Sequence, residues 1–143
     1  MNSVAREIFN SQPFSALLGA KLESCGRGRA EIRLLISPSL LQHHSYVHGG
    51  VMAYLADNAL TFAAGSVLGD VVTSEFKINF LQPAQGEMLI AVAEVLSATT
   101  AQAVCRCDIF VVKEDVRSLC AGAQGTVRAK EVKRSERSPI SGR

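Results

Sequence analysis

Residues 43–65, HHSYVHGGVMAYLADNALTFAAG, form a long apolar run that opens on Gly49-Gly50 and carries one acid, Asp57, at its middle. A run this long predicts a single helix, from about Val47 to about Gly65. Small residues recur along it at Gly49, Gly50, Ala53, Ala56, Ala59, Ala63 and Ala64. Other elements can therefore approach closely from several sides, and the rest of the chain is expected to wrap around this helix. No Lys or Arg occurs between Arg33 and Lys77, so Asp57 has no local ion-pair partner, and its helical neighbours Ala53, Tyr54, Leu60 and Thr61 supply no charge. An ionised carboxylate on a buried helix is costly unless hydrogen bonds or partner charges satisfy it. Either Asp57 turns to solvent or to a distant donor, or it does chemistry.

Beyond the helix the chain reads as strands, at about 71–81, 87–97, 101–112 and 117–128, joined by turn signals short enough for antiparallel neighbours. In the third of these, Ala103, Cys105, Cys107, Ile109 and Val111 share one face, and Gln102, Arg106 and Asp108 share the other. That sheet has a dry side and a wetter one. Before the helix, Val4–Leu18 fits two short helical pieces broken at Pro13. Gly26 and Gly28 mark a turn, and RAEIRLLIS is an alternating strand ended by Pro38. One strand, a long buried helix and four more strands predict an α+β domain, an antiparallel sheet curled around one central helix. Residues 1–128 read as that single domain, with the short helices within 3–18, and 129–143 as a basic, disordered C-terminal tail.

Composition narrows the function class. At 143 residues with 48% hydrophobic side chains the chain can bury one core without disulfides or metals. From Arg128 onward six Lys or Arg face two Glu, which leaves an acidic excess in the body, so no nucleic-acid partner is expected. Arg6 and Glu7 interrupt any secretory signal, and Asp57, Asn58 and the glycines interrupt any membrane span, so a cytoplasmic protein without membrane attachment is expected. Cys25, Cys105, Cys107 and Cys120 show no metal-like spacing and read as buried thiols. His43, His44 and His48 precede the helix with no carboxylate or thiol nearby in sequence, so no metal site is expected.

The two ends of the problem meet at the glycines. A helix N-terminus offers unpaired N–H groups and a positive dipole end, and Gly49 or Gly50 there lets a ligand reach the backbone and polarises a carbonyl oxygen. With Asp57 eight residues after Gly49 on one helix, and a following strand ending INFLQP, the chain resembles the PaaI-like branch of the hotdog-fold acyl-CoA thioesterases over about residues 13–128. The opening PFSALLGAKLES and GRAEIRLLISP also looks like that family's N-terminal portion.

The resemblance implies a hotdog fold, a homo-oligomer (dimer or tetramer), and hydrolysis of an acyl-CoA thioester to free acid and coenzyme A. No cofactor is implied, since coenzyme A is part of the substrate. Carried over by position, the Gly49 N–H binds the thioester oxygen and Asp57 is general base or nucleophile. Gln42 stands where the family usually has asparagine, and Thr73 falls where a strand hydroxyl assists the acid, with Ser74 beside it. Substrate contacts are expected from His48 and Gly50 at the helix entrance and from Tyr54, Asn58 and Thr61 along it. Eight helical residues span about 12 Å at roughly 1.5 Å each, too far for one chain's Gly49 to serve its own Asp57. The active form is therefore expected to be at least a dimer with composite sites. Two rivals remain: a non-catalytic acyl-CoA binding or sensing module, favoured by Gln42, and a hydratase or dehydratase on the same fold, which would pair its acid with a histidine.

Overall fold

The computed structural model describes residues 3–130. Two short helices come first, α1 (Ser3–Asn10) and α2 (Pro13–Leu18), followed by strands β1 (Lys21–Gly26) and β2 (Arg29–Leu35). A single 3-10 turn at Pro38–Leu40 leads to the long helix α3 (Gly49–Leu68). Four strands follow among the described residues: β3 (Val71–Phe80), β4 (Met88–Ala98), β5 (Gln102–Lys113) and β6 (Val116–Ala129). All the strands form one antiparallel six-stranded sheet in the order β1-β2-β4-β5-β6-β3.

The sheet wraps α3, which touches every strand. Leu55, Ala56, Ala59, Leu60, Ala63 and Ala64 of the helix are fully buried. They face Ile32 and Leu34 of β2, Leu89, Ala91 and Ala93 of β4, and Cys105, Cys107 and Ile109 of β5. Alanines on both surfaces let sheet and helix approach, and the few large side chains fill what is left. Each fully buried Leu or Ile stabilises the fold by roughly 1.5–3 kcal/mol. This is the expected hotdog architecture, a sheet closed around a central helix. Although α3 is long and apolar enough to cross a bilayer, it is the core helix of this sheet.

Three expectations need correction: β3 and β4, expected to be antiparallel neighbours across their short connection, lie apart in the sheet, β3 pairing with β6 and β4 with β2 and β5. Lys21–Gly26 is a strand, so two strands precede the helix, not one. Its alternation is broken because Glu23 has no partner between the pairs Leu22–Ile32 and Ser24–Glu31, an extra residue that hides the period of two. The helix also continues three residues past Gly65, to Leu68. It stops where Gly69 takes a left-handed φ of +88° and its N–H returns to the Gly65 carbonyl. The basic tail expected from residue 129 falls, apart from Ala129 and Lys130, outside the described residues.

Candidate active site

Asp57 lies in the middle of α3 and is half-buried. Among the described residues it has no cation within ion-pair distance. Its partner is a hydroxyl: Thr73 Oγ1 on β3 donates to Asp57 Oδ1 at 2.6 Å. The choice between Thr73 and Ser74, open in the sequence, is made by the sheet. Thr73 pairs with Val127 and Glu75 with Thr126, so Ser74 is an unpaired extra residue, a bulge. Before it Val71 and Thr73 face the helix. After it the parity flips and Phe76 and Ile78 face inward. The bulge aims Thr73 at the carboxylate and turns Ser74 to solvent. One oxygen of Asp57 is thus oriented, and the other accepts no hydrogen bond among the described residues.

At the N-terminus of α3, His48 is the N-cap. Its Nδ1 accepts from the Gly50 N–H at 2.8 Å, leaving Nε2 as the ring nitrogen not used by the cap. The Val51 N–H is satisfied by the His48 carbonyl at 3.0 Å. The Gly49 N–H is left without a partner among the described residues, and it carries the positive end of a twenty-residue helix. Both glycines have steric reasons. A Cβ on Gly50 would sit 2.9 Å from His48 Nδ1, and one on Gly49 would sit 3.2 Å from Phe80 Cζ, whose ring lies over the helix start. His48 and Gly50 are therefore committed to the cap. Gln42 closes its own turn: its backbone N–H donates to the Tyr46 carbonyl, and its side-chain Oε1 accepts from the His44 N–H.

Tyr54 and Asn58, expected along the substrate, have other partners. Asn58 is 8% exposed, and its Nδ2 donates to Gln12 Oε1 at 2.9 Å, to Tyr54 OH at 3.2 Å and to Ser15 Oγ at 3.3 Å. Ser15 in turn bonds Gln12 Oε1 and Tyr54 OH, and Phe14 packs edge-on against the Tyr54 ring at 5.2 Å. Burial raises the Tyr54 pKa, against the opposing effect of its bonds to Ser15 and Asn58, so the phenol keeps its proton. This cluster pins the α1–α2 joint onto α3. Sequence reading missed it because Gln12 and Ser15 come from some forty residues away.

Thr61 does border open space. One turn past Asp57, it lines a cavity of about 660 Å³ beneath α1. None of the described residues form a metal-type cluster. The cysteines are free and buried, and burial pushes the thiols up, Cys105 and Cys120 to about 11 and Cys107, helped by the Asp108 charge, to about 12. No thiol here is a ready nucleophile. Asp57, steadied by Thr73, is the group suited to take a proton from water or to attack a carbonyl.

The chain is similar to several known proteins. Residues 44–118 match the family model described as the thioesterase superfamily. Acyl-coenzyme A thioesterase PaaI of Escherichia coli (strain K12) is 30% identical over 92 residues, a stretch covering 64% of this chain and 66% of that protein, just short of two thirds of its length. Among solved structures, a thioesterase family protein from Silicibacter pomeroyi superposes with a TM-score of 0.84 at 31% identity, over 87% of this chain and 93% of the other. The E. coli PaaI protein from the phenylacetic acid degradation operon gives a TM-score of 0.81 at 25% identity, over 89% and 91% of the two chains.

Proposed function

This chain belongs to the thioesterase superfamily, and from that premise we propose that it hydrolyses an acyl-CoA thioester to a free acid and coenzyme A. Asp57 takes a proton from water as the water oxygen bonds to the thioester carbon. The oxygen that becomes negative is met by the Gly49 N–H of a second copy. When the carbon–sulfur bond breaks, the proton on Asp57 passes to the departing sulfur. In the covalent variant the carboxylate itself attacks, the carbon–sulfur bond breaks to leave a mixed anhydride and the CoA thiolate, and water then cleaves the anhydride to the free acid, restoring the Asp57 carboxylate and giving up the proton that the thiolate takes. Thr73 holds the carboxylate in either case.

The observation that carries this reading is the Thr73–Asp57 hydrogen bond, 2.6 Å long, on a carboxylate in an apolar helix that has no cation within ion-pair distance among the described residues. A carboxylate so placed is oriented but not neutralised, the state a base or nucleophile needs. The matched relative named as an acyl-coenzyme A thioesterase supports the substrate class.

The test is release of free CoA across a panel of aliphatic and aromatic acyl-CoAs, with Asp57→Asn beside the wild type. Asp57→Asn is expected to lower kcat by about 10²–10⁴ while acyl-CoA still binds. A wild-type chain that binds acyl-CoA and releases no CoA from any member of the panel would overturn the reading in favour of a non-catalytic binding module. Full turnover by the Asn variant would move the chemistry off Asp57.

A further inference from the structure

Asp57, Thr61 and Gly65 are spaced four residues apart and so share one stripe of α3, about 12 Å long at roughly 1.5 Å per residue. Val71 and Thr73 share one face of β3 on the same side of the Ser74 bulge. Thr73 touches Asp57 at one end, while Val71 lies beside Gly65 at the other, where a Cβ on the glycine would be 3.8 Å from Val71 Cγ2. Helix and strand thus set the carboxylate one helical turn from Thr61, which with Gly65 and Val71 lines the cavity of about 660 Å³.

The roof is α1. Phe9 is buried edge-on against Phe62 at 5.5 Å, and the cluster of Gln12, Ser15, Tyr54 and Asn58 anchors the following joint. From that anchor α1 reaches back over the hollow. Val4, Ala5 and Ile8 line it, with Val4 and Ile8 still more than half exposed. Asp70 is the charged residue of the lining, its side chain 80% exposed and 3.8 Å from Lys130, and the polar side chains Gln12, Thr61 and Ser66 spend hydrogen bonds on Asn58, the Asn58 carbonyl and the Ala63 carbonyl, among walls that are otherwise mostly apolar. A volume within the roughly 300–1,000 Å³ usual for ligand pockets, with mostly apolar walls that begin one helical turn from the reacting group, fits one kind of occupant.

We infer that this cavity receives the distal part of an extended aliphatic acyl chain whose thioester lies at Asp57, and that α1 sets the chain length accepted. The inference rests on the thioesterase reading for the position of the carbonyl. A butanoyl group ends near Thr61, whereas a decanoyl group passes under α1 and covers Val4 and Ile8.

The test fills the cavity in the full chain. Gly65→Leu adds bulk from the helix, into a space where a Cβ meets only an ordinary contact, and Ala5→Phe adds it from the roof. Retained far-UV circular dichroism checks that each variant folds. For both, the ratio of kcat/KM for decanoyl-CoA to that for butanoyl-CoA is expected to fall about tenfold or more. An unchanged ratio in the folded variants overturns the inference, and the thioesterase reading then stands on butanoyl-CoA turnover. Titration calorimetry with decanoate separates the two claims. If no thioester is cleaved, decanoate binding by the wild type that Gly65→Leu abolishes still supports the cavity, and no binding by the wild type overturns it.

Discussion

At the scale of single residues, the proposed chemistry depends on how firmly one carboxylate is held. Thr73 donates to only one oxygen of Asp57, so its loss leaves the acid in place but free to rotate. Thr73→Val, nearly equal in volume, is expected to lower kcat by roughly 10- to 100-fold with little change in KM. Thr73→Ser, which restores the hydroxyl, is expected to recover most of that loss, and steady-state kinetics on all three proteins check it. An active Val variant beside an inactive Ser variant would mean that the methyl group, not the hydroxyl, matters. Asp57 and Gly49 were legible in the sequence because an acid in an apolar helix and a glycine pair at its start are both local anomalies. Thr73 was legible only as one of two neighbouring hydroxyls, since the bulge that selects it is a property of the pairing with β6. Tyr54 and Asn58 were read as pocket residues because the sequence exposes their polarity and their place on the helix. It gives no sign of Gln12 and Ser15, which use up that polarity from the far end of the chain.

At the scale of elements, β3 decides whether the site exists, because it carries Thr73 and ends with Phe80 over Gly49. Its grip on the sheet depends on Gly125 of β6, the partner of Phe76. A Cβ on Gly125 would lie 2.5 Å from the Glu75 carbonyl oxygen and 2.6 Å from Phe76 Cβ, and neither backbone nor Cβ can swing aside. Gly125→Ala is therefore expected to push β3 off β6 and cost about 1–3 kcal/mol, measured by urea unfolding. It should also lower kcat, because Thr73 sits only three residues from Phe76. Ile109→Val in β5 provides the control: it costs about 0.5–1.5 kcal/mol and should leave kcat as it is. If the two variants lose activity only in proportion to stability, the strand has no special part in holding the site. The long helix and the strands after it could be read from periodicity, since α3 is apolar over many turns and β5 alternates cleanly. Strand β1 could not, because its bulge at Glu23 removes the alternation within six residues.

At the scale of the whole molecule, the two parts of the proposed reaction centre lie on one rigid helix and cannot meet within a chain. Gly49 and Asp57 are both in α3, about 12 Å apart at roughly 1.5 Å per residue, while one carbonyl must touch both. The fold offers a way to join copies: β3 is an end strand of the sheet, with one row of its backbone groups unpaired. Two β3 edges pairing about a two-fold axis would run their α3 helices antiparallel, bringing each helix start toward the other's middle. A donor-deleting change is available, because Gly49 is the first residue of the helix and His48 already holds φ −59° and ψ 133°, the extended conformation required before proline. Gly49→Pro removes the N–H at a helix position that tolerates proline, and its Cβ would meet the end of the Phe80 ring at 3.2 Å. Homodimers of Gly49→Pro and of Asp57→Asn should both be nearly inactive. Their heterodimer, isolated with two different affinity tags, contains one site with both groups and one with neither, and its turnover per dimer should approach half that of the wild type. A heterodimer as inactive as its parents would place the oxyanion donor somewhere other than the neighbouring helix.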